Sequence, residues 1–226
     1  MCKIPKKIHC IWLGNAPFPN FFDDAIRSWS SNQPDYELYV WTDMDFDFNK
    51  VPNYVKDAYE DKCYSIVVDY LRAEVLYKYG GWYLDTDVEL LKPFMDDYSK
   101  YNVVVPVEDS TWDWPQGRIN KFYLNNIDGE YRRVKTDFIS GIALLISVIG
   151  AKRHSRCLKR VMNFYKTLDY NKRDYSGCLF GGPIGPQIWA RVMEKYSFRY
   201  KAEEQKLKRN IYIAPPTLAK KSDLFK

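Results

Sequence analysis

The sequence predicts an α/β fold in which a central, largely parallel sheet carries helices on its faces. Three observations lead there. Short apolar runs, Lys7–Leu13 and Trp82–Leu84 among them, have the length and continuity of fully buried strands. Stretches with helical spacing, Phe21–Trp29, Val51–Asp61 and Tyr64–Tyr79, fall between those runs. Glycine or proline stands at several junctions, and strands alternating with helices are the pattern of parallel crossover units.

Taken in order, Lys7–Leu13 is a buried strand ended by Gly14-Asn15-Ala16-Pro17. In Phe21–Trp29 the side chains of Phe22, Ile26 and Trp29 share one helical face. Pro34-Asp35 is a turn, and Glu37–Trp41 alternates as a second strand. Asp43–Asn49 reads as an acidic, solvated loop; Asp43, Asp45 and Asp47 alternate there without the glycine and bidentate glutamate of a calcium loop. Val51–Asp61 is a helix, and Tyr64–Tyr79 a second one that buries Val67, Val68, Leu71, Val75 and Leu76 and stops at Gly80. Trp82–Leu84 is the next strand, Leu90–Pro93 leads away from it, and Val103–Val107 is another. Glu108–Asn126 is irregular, and a loop of that length usually carries function. Phe138–Ile149 suits a strand or a helix, Ser155–Leu168 a helix, and Cys178–Pro186 a glycine-proline turn before the helix Gln187–Tyr196. Ile211-Tyr212-Ile213 is the last strand.

A chain of 226 residues, 46% of them apolar, can bury a substantial core as one domain. It contains no apolar run near the ~18 residues of a membrane span, and Met1–Lys7 lacks the apolar block of a signal peptide. Cys2, Cys10, Cys63, Cys157 and Cys178 are odd in number and have no metal spacing, which points to reduced thiols and a cytoplasmic setting. The net charge of +5 is concentrated in Lys152–Arg160 and in the tail from Lys201. Such a surface suits an anionic membrane face, anionic substrates or nucleic acid, and equally a solvated helix face. The 17% of aromatic residues suits sugar contact and core filling alike.

The chemistry concentrates in Asp69-Tyr-Leu-Arg72 and in Gly80-Gly81-Trp82-Tyr83-Leu84-Asp85-Thr86-Asp87. The first places an acid and a base three apart, on one face of a helix. The second is a strand ending in two carboxylates at i and i+2, which share a face and reach one hard cation. Oxygen ligands of this kind favour Mg²⁺ or Mn²⁺, and an ion so held suits a diphosphate. A bare Asp-x-Asp is more often an acidic turn; the glycine pair, the aromatic strand and the upstream Asp69/Arg72 set this one apart.

Those residues carry a family resemblance. Ile4-Pro5-Lys6-Lys7-Ile8-His9-Cys10-Ile11-Trp12-Leu13-Gly14 resembles the opening strand of the DXD-motif sugar transferases of glycosyltransferase family 32. So does the block from Ser65 through Asp69, Arg72, Gly80, Gly81, Tyr83, Asp85, Asp87 and Glu89 to Lys92-Pro93. The likeness is nearly continuous over residues 4–93 and thinner from about Tyr131 to Pro216. The family includes bacterial capsule and lipopolysaccharide transferases and fungal α-mannosyltransferases, with clostridial toxin glucosyltransferase domains more distant.

The resemblance implies a Rossmann-like nucleotide-binding sheet of the GT-A type, residues 1–107 holding the nucleotide sugar and residues 108–226 the acceptor side. It implies that Asp87 ligates the cation, while Asp85 contacts the donor ribose and reaches the metal through water. Asp69 and Arg72 would hold the donor sugar hydroxyls, with Tyr83 beside them. Trp12 would stack on the base next to Leu13 and Gly14. Trp112 and Trp114 would meet an acceptor sugar, and Gly182-Pro183 and Gly185-Pro186 resemble the family's acceptor-side turn, though a Pro at the first turn of a helix is equally ordinary. The implied partners are a nucleotide diphosphate sugar, a UDP-sugar ahead of GDP-mannose, and a glycan or lipid-linked acceptor, with no nucleic acid.

Two features stand apart. His9 alternates within its strand and reads as a satisfied core histidine, and with His154 as the only other histidine a multi-histidine zinc site is excluded. The family's late His-aromatic and Ser-Trp segment has no counterpart after Trp189; Ser222 and Asp223 are the nearest substitutes. Donor binding is therefore the firmer expectation, and a non-catalytic carbohydrate- or nucleic-acid-binding protein on a degenerate transferase fold is the alternative. A two-carboxylate glycosidase would need its acids facing one another across the sugar, whereas Asp85 and Asp87 share one strand.

Overall fold

A computed structural model describes residues 3–109, 142–170, 185–199, 201 and 203–215. The described strands form one eight-stranded sheet: β1 (Lys7–Ile11), β2 (Glu37–Trp41), β3 (Gly81–Leu84), β4 (Val103–Asp109), β5 (Ile142–Leu144), β6 (Val148–Ala151), β7 (Gln205–Leu207) and β8 (Ile211–Ala214). Their order is β2-β1-β3-β6-β4-β8-β7, with β5 beside β4. The helices are α1 (Asn20–Asn32), α2 (Asn53–Glu60), α3 (Tyr64–Tyr79), the short α4 (Met95–Tyr98), α5 (Arg156–Tyr165) and α6 (Gly185–Glu194).

The sheet is mixed, not largely parallel. β1 runs parallel to β2 and β3, and β4 to β8, but β6 is antiparallel to both β3 and β4, and β5 and β7 are antiparallel to their neighbours. The cause lies in the apolar run Ile142–Ile149, which is two strands rather than one element. It breaks at Leu145–Ser147, where the Val148 amide donates to the Leu145 carbonyl at 3.3 Å. β6 then returns between β3 and β4. Apolar continuity reports burial and carries no information about strand direction.

Strand parity sorts the core into two layers. Ile8, Cys10, Trp82 and Leu84 face α1, packing with Phe22, Ala25 and Trp29. Ile11 and Tyr83 face the other way, toward α2, α3, α5 and α6. Successive strand residues point to opposite faces, so Asp85, two beyond Tyr83, is due on the α3 side. Helix α3 lies between α2, α5 and the sheet and is covered on most sides, with Val67, Tyr70, Leu71, Ala73, Val75 and Leu76 buried. Helix α1 clamps the chain just after the acidic turn. The Trp29 indole donates to the Val88 carbonyl at 2.7 Å, the Asn32 amide to the Leu90 carbonyl at 2.6 Å, and the Leu90 amide to the Ser28 hydroxyl at 2.9 Å.

His9 is a core residue, as its alternation implies. It lies 1% exposed, with Nε2 2.8 Å from the Gly80 carbonyl and the Trp41 indole N–H donating to Nδ1 at 3.2 Å. A carbonyl only accepts and an indole only donates, so the ring is the neutral tautomer with its proton on Nε2. Burial first of all depresses its pKa to about 4. No helix among the described residues is long and apolar enough to cross a membrane.

Candidate active site

The site starts from a glycine. Gly81 opens β3 with φ +111°, and a Cβ there would press into the Lys7 carbonyl and side chain. Only glycine lets β3 approach β1 this closely in this conformation. β3 then runs parallel to β1 in the register Ile8↔Trp82 and His9↔Tyr83. Continuing that register sets Ile11 level with Asp85 and Trp12 level with the turn Thr86-Asp87. One sheet edge thus receives the ends of both strands, where ligands of such sheets bind.

Arg72 ties this edge to α3. Its guanidinium is buried, and each arm has a partner: Nε donates to the Val68 carbonyl at 3.3 Å, Nη1 to the Ile146 carbonyl at 2.7 Å, and Nη2 pairs with Asp69 Oδ1 at 3.0 Å. Nη2 also stands 3.5 Å from Asp85 Oδ1, and the guanidinium lies over the Tyr83 ring at 4.8 Å. The Tyr83 hydroxyl donates to the same Asp85 oxygen at 2.7 Å. Asp69 accepts a further bond at 2.9 Å from the Gly185 amide, which opens α6. A Cβ on Gly185 would overlap the Asp69 carboxyl and the tip of Ile146. The break that makes β5 and β6 is what presents the Ile146 carbonyl to Arg72.

Electrostatically this is a desolvated pair of carboxylates around one cation. Burial pushes Asp69 up to about 6, and Asp85 adds to the rise; the Arg72 charge and the Gly185 amide pull against it without cancelling it. Arg72 shifts upward: burial disfavours its charge, but Asp85, Tyr83 and Asp69 together outweigh that cost. Burial, reinforced by Asp85, lifts the Tyr83 phenol well above its ordinary value, so it stays a neutral donor.

The expected nucleobase residues lie on the same edge. The Trp12 amide continues the pairing with β2 by donating to the Trp41 carbonyl at 2.9 Å, and its half-buried indole donates to the Ala16 carbonyl at 2.7 Å. Leu13 is buried in the α3-side core. Gly14 has φ +94° and faces the Tyr64 ring where a Cβ would be. Its amide donates to Asp43 Oδ2 at 2.9 Å, and the Tyr59 hydroxyl to Asp43 Oδ1 at 2.7 Å.

Asp43 is therefore not simply solvated; it fastens the loop after β1. A short 3₁₀ turn at Asp43–Asp45 is capped reciprocally by Thr42 and Asp45. The Thr42-x-x-Asp45 spacing was the available signal for that turn, as a capping-box variant. No comparable signal in the sequence pairs Gly185 with Asp69. Trp112, Trp114, Gly182, Pro183, Ser222 and Asp223 lie outside the described residues.

Asp85 and Asp87 are both half-buried at the turn after β3. Among the described residues, no group of three or more His, Cys, Asp or Glu side chains gathers to hold a metal. Two carboxylates fit a hard ion such as Mg²⁺ or Mn²⁺, which is typically held by one or two protein carboxylates together with substrate phosphates. They do not fit a closed zinc site.

Residues 19–108 match the glycosyltransferase sugar-binding region containing the DXD motif. This stretch includes Asp69, Arg72, Asp85 and Asp87 but not Trp12. Over 89 residues the chain is 39% identical to inositol phosphoceramide mannosyltransferase 3 of Schizosaccharomyces pombe, a match covering 38% of this chain and 24% of that protein. Over 145 residues it is 28% identical to subversion of eukaryotic traffic protein A of Legionella pneumophila, covering 52% of this chain and 21% of that protein. Inositol phosphoceramide mannosyltransferase 1 of Schizosaccharomyces pombe is 30% identical over 113 residues, 47% of this chain and 35% of that protein. The chain thus spans about a third or less of the length of these relatives. Among solved structures, the PaToxG glycosyltransferase superposes with a TM-score of 0.56 over 85% of this chain and 69% of that one, at 13% identity. The fold is that of the GT-A-type α/β sheet.

Proposed function

Since residues 19–108 carry the DXD-containing sugar-binding region of glycosyltransferases, we propose that this chain is a metal-dependent, retaining glycosyltransferase. It moves a hexose or N-acetylhexosamine from a nucleotide diphosphate sugar, a UDP-sugar ahead of GDP-mannose, to a glycan or lipid-linked acceptor in surface polysaccharide synthesis. The single observation that carries this is the Arg72 bridge, which joins Asp69 on α3 to Asp85 beside the acidic turn. The inositol phosphoceramide in the names of two relatives supports a lipid-linked acceptor. Cys10, Cys63 and Cys157 are free thiols, which suits a cytoplasmic location.

In this reading Asp85 and Asp87 hold the divalent ion, which when bound would neutralise charge developing on the leaving nucleotide diphosphate. The Asp69 carboxylate accepts hydrogen bonds from the sugar hydroxyls. Arg72, whose arms are occupied by the protein, positions Asp69 and Asp85 relative to each other. Tyr83 fixes the Asp85 carboxyl by its hydroxyl, and Trp12 offers a ring at the nucleobase end. Orienting the sugar over the diphosphate, with no facing carboxylate nucleophile, suits attack on the same face as the departing group.

Isothermal titration with UDP, then GDP, with and without Mn²⁺, tests the donor site. Manganese-dependent binding of one nucleotide is expected, lost in Asp87→Ala. Failure of both nucleotides to bind would sink the proposal and leave a fold-level likeness only.

A pH dependence follows from Asp69. Its folded value, about 6, lies above the unfolded value of about 3.9. The folded chain therefore holds more protons than the unfolded one between those values, and this contribution to stability falls as pH rises through the window. Donor binding runs the opposite way, because the ionised carboxylate is the stronger acceptor for sugar hydroxyls. Affinity for the intact nucleotide sugar is expected to rise through an apparent pKa near 6, and Asp69→Asn is expected to remove that limb. An unchanged profile in Asp69→Asn would assign the titration to another group.

A further inference from the structure

A second, basic cavity lies at the opposite edge of the sheet. It has a volume of about 330 Å³ and is lined by Lys152, Arg153, His154, Arg156, Tyr196 and Arg209, among others. Its position follows from register: in the antiparallel pair β3/β6, Leu84 faces Val148 and Gly81 faces Ala151. Asp85 thus leaves one end of this ladder and Lys152 the other, roughly 10 Å or more apart at ~3.3 Å per residue. A single small anion therefore does not bridge the two ends.

Its lining is cationic without local compensation. Arg153, Arg156 and Arg209 are exposed, and none forms an ion pair with a carboxylate among the described residues. Lys152 is held by its ammonium donating to the Lys100 carbonyl at 3.1 Å, which fixes the charge without neutralising it. Two of the lining residues, His154 and Arg209, have φ of +56° and +64°. That left-handed conformation is uncommon outside glycine and is kept only where the surroundings enforce it. The wall also includes Tyr196, 4% exposed, whose buried hydroxyl makes no hydrogen bond of ordinary geometry, although Arg160 lies over its ring at 5.1 Å. Helix α5 starts at the rim, where the Ser155 hydroxyl accepts from the Cys157 amide at 3.3 Å, and its N-terminal end adds to the positive potential.

We propose that this cavity is a binding site for a phosphate-bearing anion, a phosphomonoester or diphosphate. Three exposed arginines without an ion-pair partner among the described residues line a concavity of ligand size, and guanidinium forks match phosphate oxygens. The chemistry is shared by a soluble phosphorylated metabolite and by a lipid headgroup, and it does not depend on the donor-site reading above.

The test uses the full chain with EDTA present, so that any metal-dependent binding at the acidic turn is silent. Pyrophosphate is titrated by calorimetry into the parent and into R153Q/R156Q/R209Q, whose side chains are exposed; circular dichroism and manganese-dependent nucleotide binding serve as controls for the fold and the donor site. Pyrophosphate is expected to bind the parent and to bind the variant at least about tenfold more weakly. Flotation with phosphatidylcholine vesicles, with and without phosphatidic acid, identifies the source. Binding to phosphatidic acid that pyrophosphate displaces and the variant loses assigns a lipid headgroup, and pyrophosphate binding without vesicle binding assigns a soluble ligand. No pyrophosphate binding by the parent, or equal binding by the variant, overturns the proposal.

Discussion

Asp87→Ala is expected to lower kcat/KM for sugar transfer by at least about a hundredfold. An ion held by Asp85 and Asp87, as proposed above, would contribute several kcal/mol of transition-state stabilisation, and each ~1.4 kcal/mol is tenfold in rate. Removing one of the two should therefore cost two decades or more. Asp87 lies in a half-buried turn beyond the end of β3, and thermal melting separates loss of the ion from any loss of stability. Asp85 is also tied into the buried network. It accepts from Tyr83 and sits beside Arg72, so Asp85→Ala is expected to lose both activity and stability. The comparison is read by steady-state kinetics, manganese titration and thermal melting of both variants. Turnover of Asp87→Ala within tenfold of the parent would remove Asp87 from the metal site.

The contrast shows what was legible in the sequence and what was not. Three-residue spacing already placed Asp69 and Arg72 together, whereas β3 ends at Leu84, so strand alternation does not fix the side of Asp87, which lies in the turn beyond it. The former is a local relation, written in neighbouring residues. The GT-A-type sheet was likewise approachable, because β1 and β3 are short continuous apolar runs and α3 has helical spacing, with glycines marking where β1 and α3 end. The partners that close the network were not legible. Ile146 reaches Arg72 through a break inside an apolar run that only Ser147 interrupts, and Gly185 reaches Asp69 across 116 residues of chain. Nothing local distinguishes that glycine from one in an ordinary helix start. Asp43 was misread for a related reason: its contacts with Gly14 and Tyr59 are long-range, whereas its neighbours Asp45 and Asp47 look like solvated acids. The antiparallel entry of β6 was hidden because burial and direction are independent properties of a strand.

Arg72→Met is expected to cost about 3–5 kcal/mol of stability, the range for breaking a buried ion pair from one side. For a chain of this size that lowers the melting temperature by roughly 10 °C. Methionine approximates the aliphatic length but supplies no donor, so the Ile146 carbonyl loses a bond and Asp69 and Asp85 lose their shared cation. Arg72→Lys is expected to recover part of the stability and little of the donor affinity, since one ammonium cannot reproduce a planar fork aimed at three groups. The loss should also depend on pH. Arg72 is what restrains the burial-driven rise of Asp69, so its removal lifts that carboxyl further above about 6. The variant then relieves its buried charge by holding a proton to higher pH, and its stability falls as pH rises through a window extending beyond that of the parent. Parent and variant are therefore closest in stability near pH ~5 and furthest apart above the shifted value. Denaturant melts at several pH values read this directly. A gap that is constant with pH would show that Arg72 stabilises by packing over Tyr83 rather than by holding the charge of Asp69.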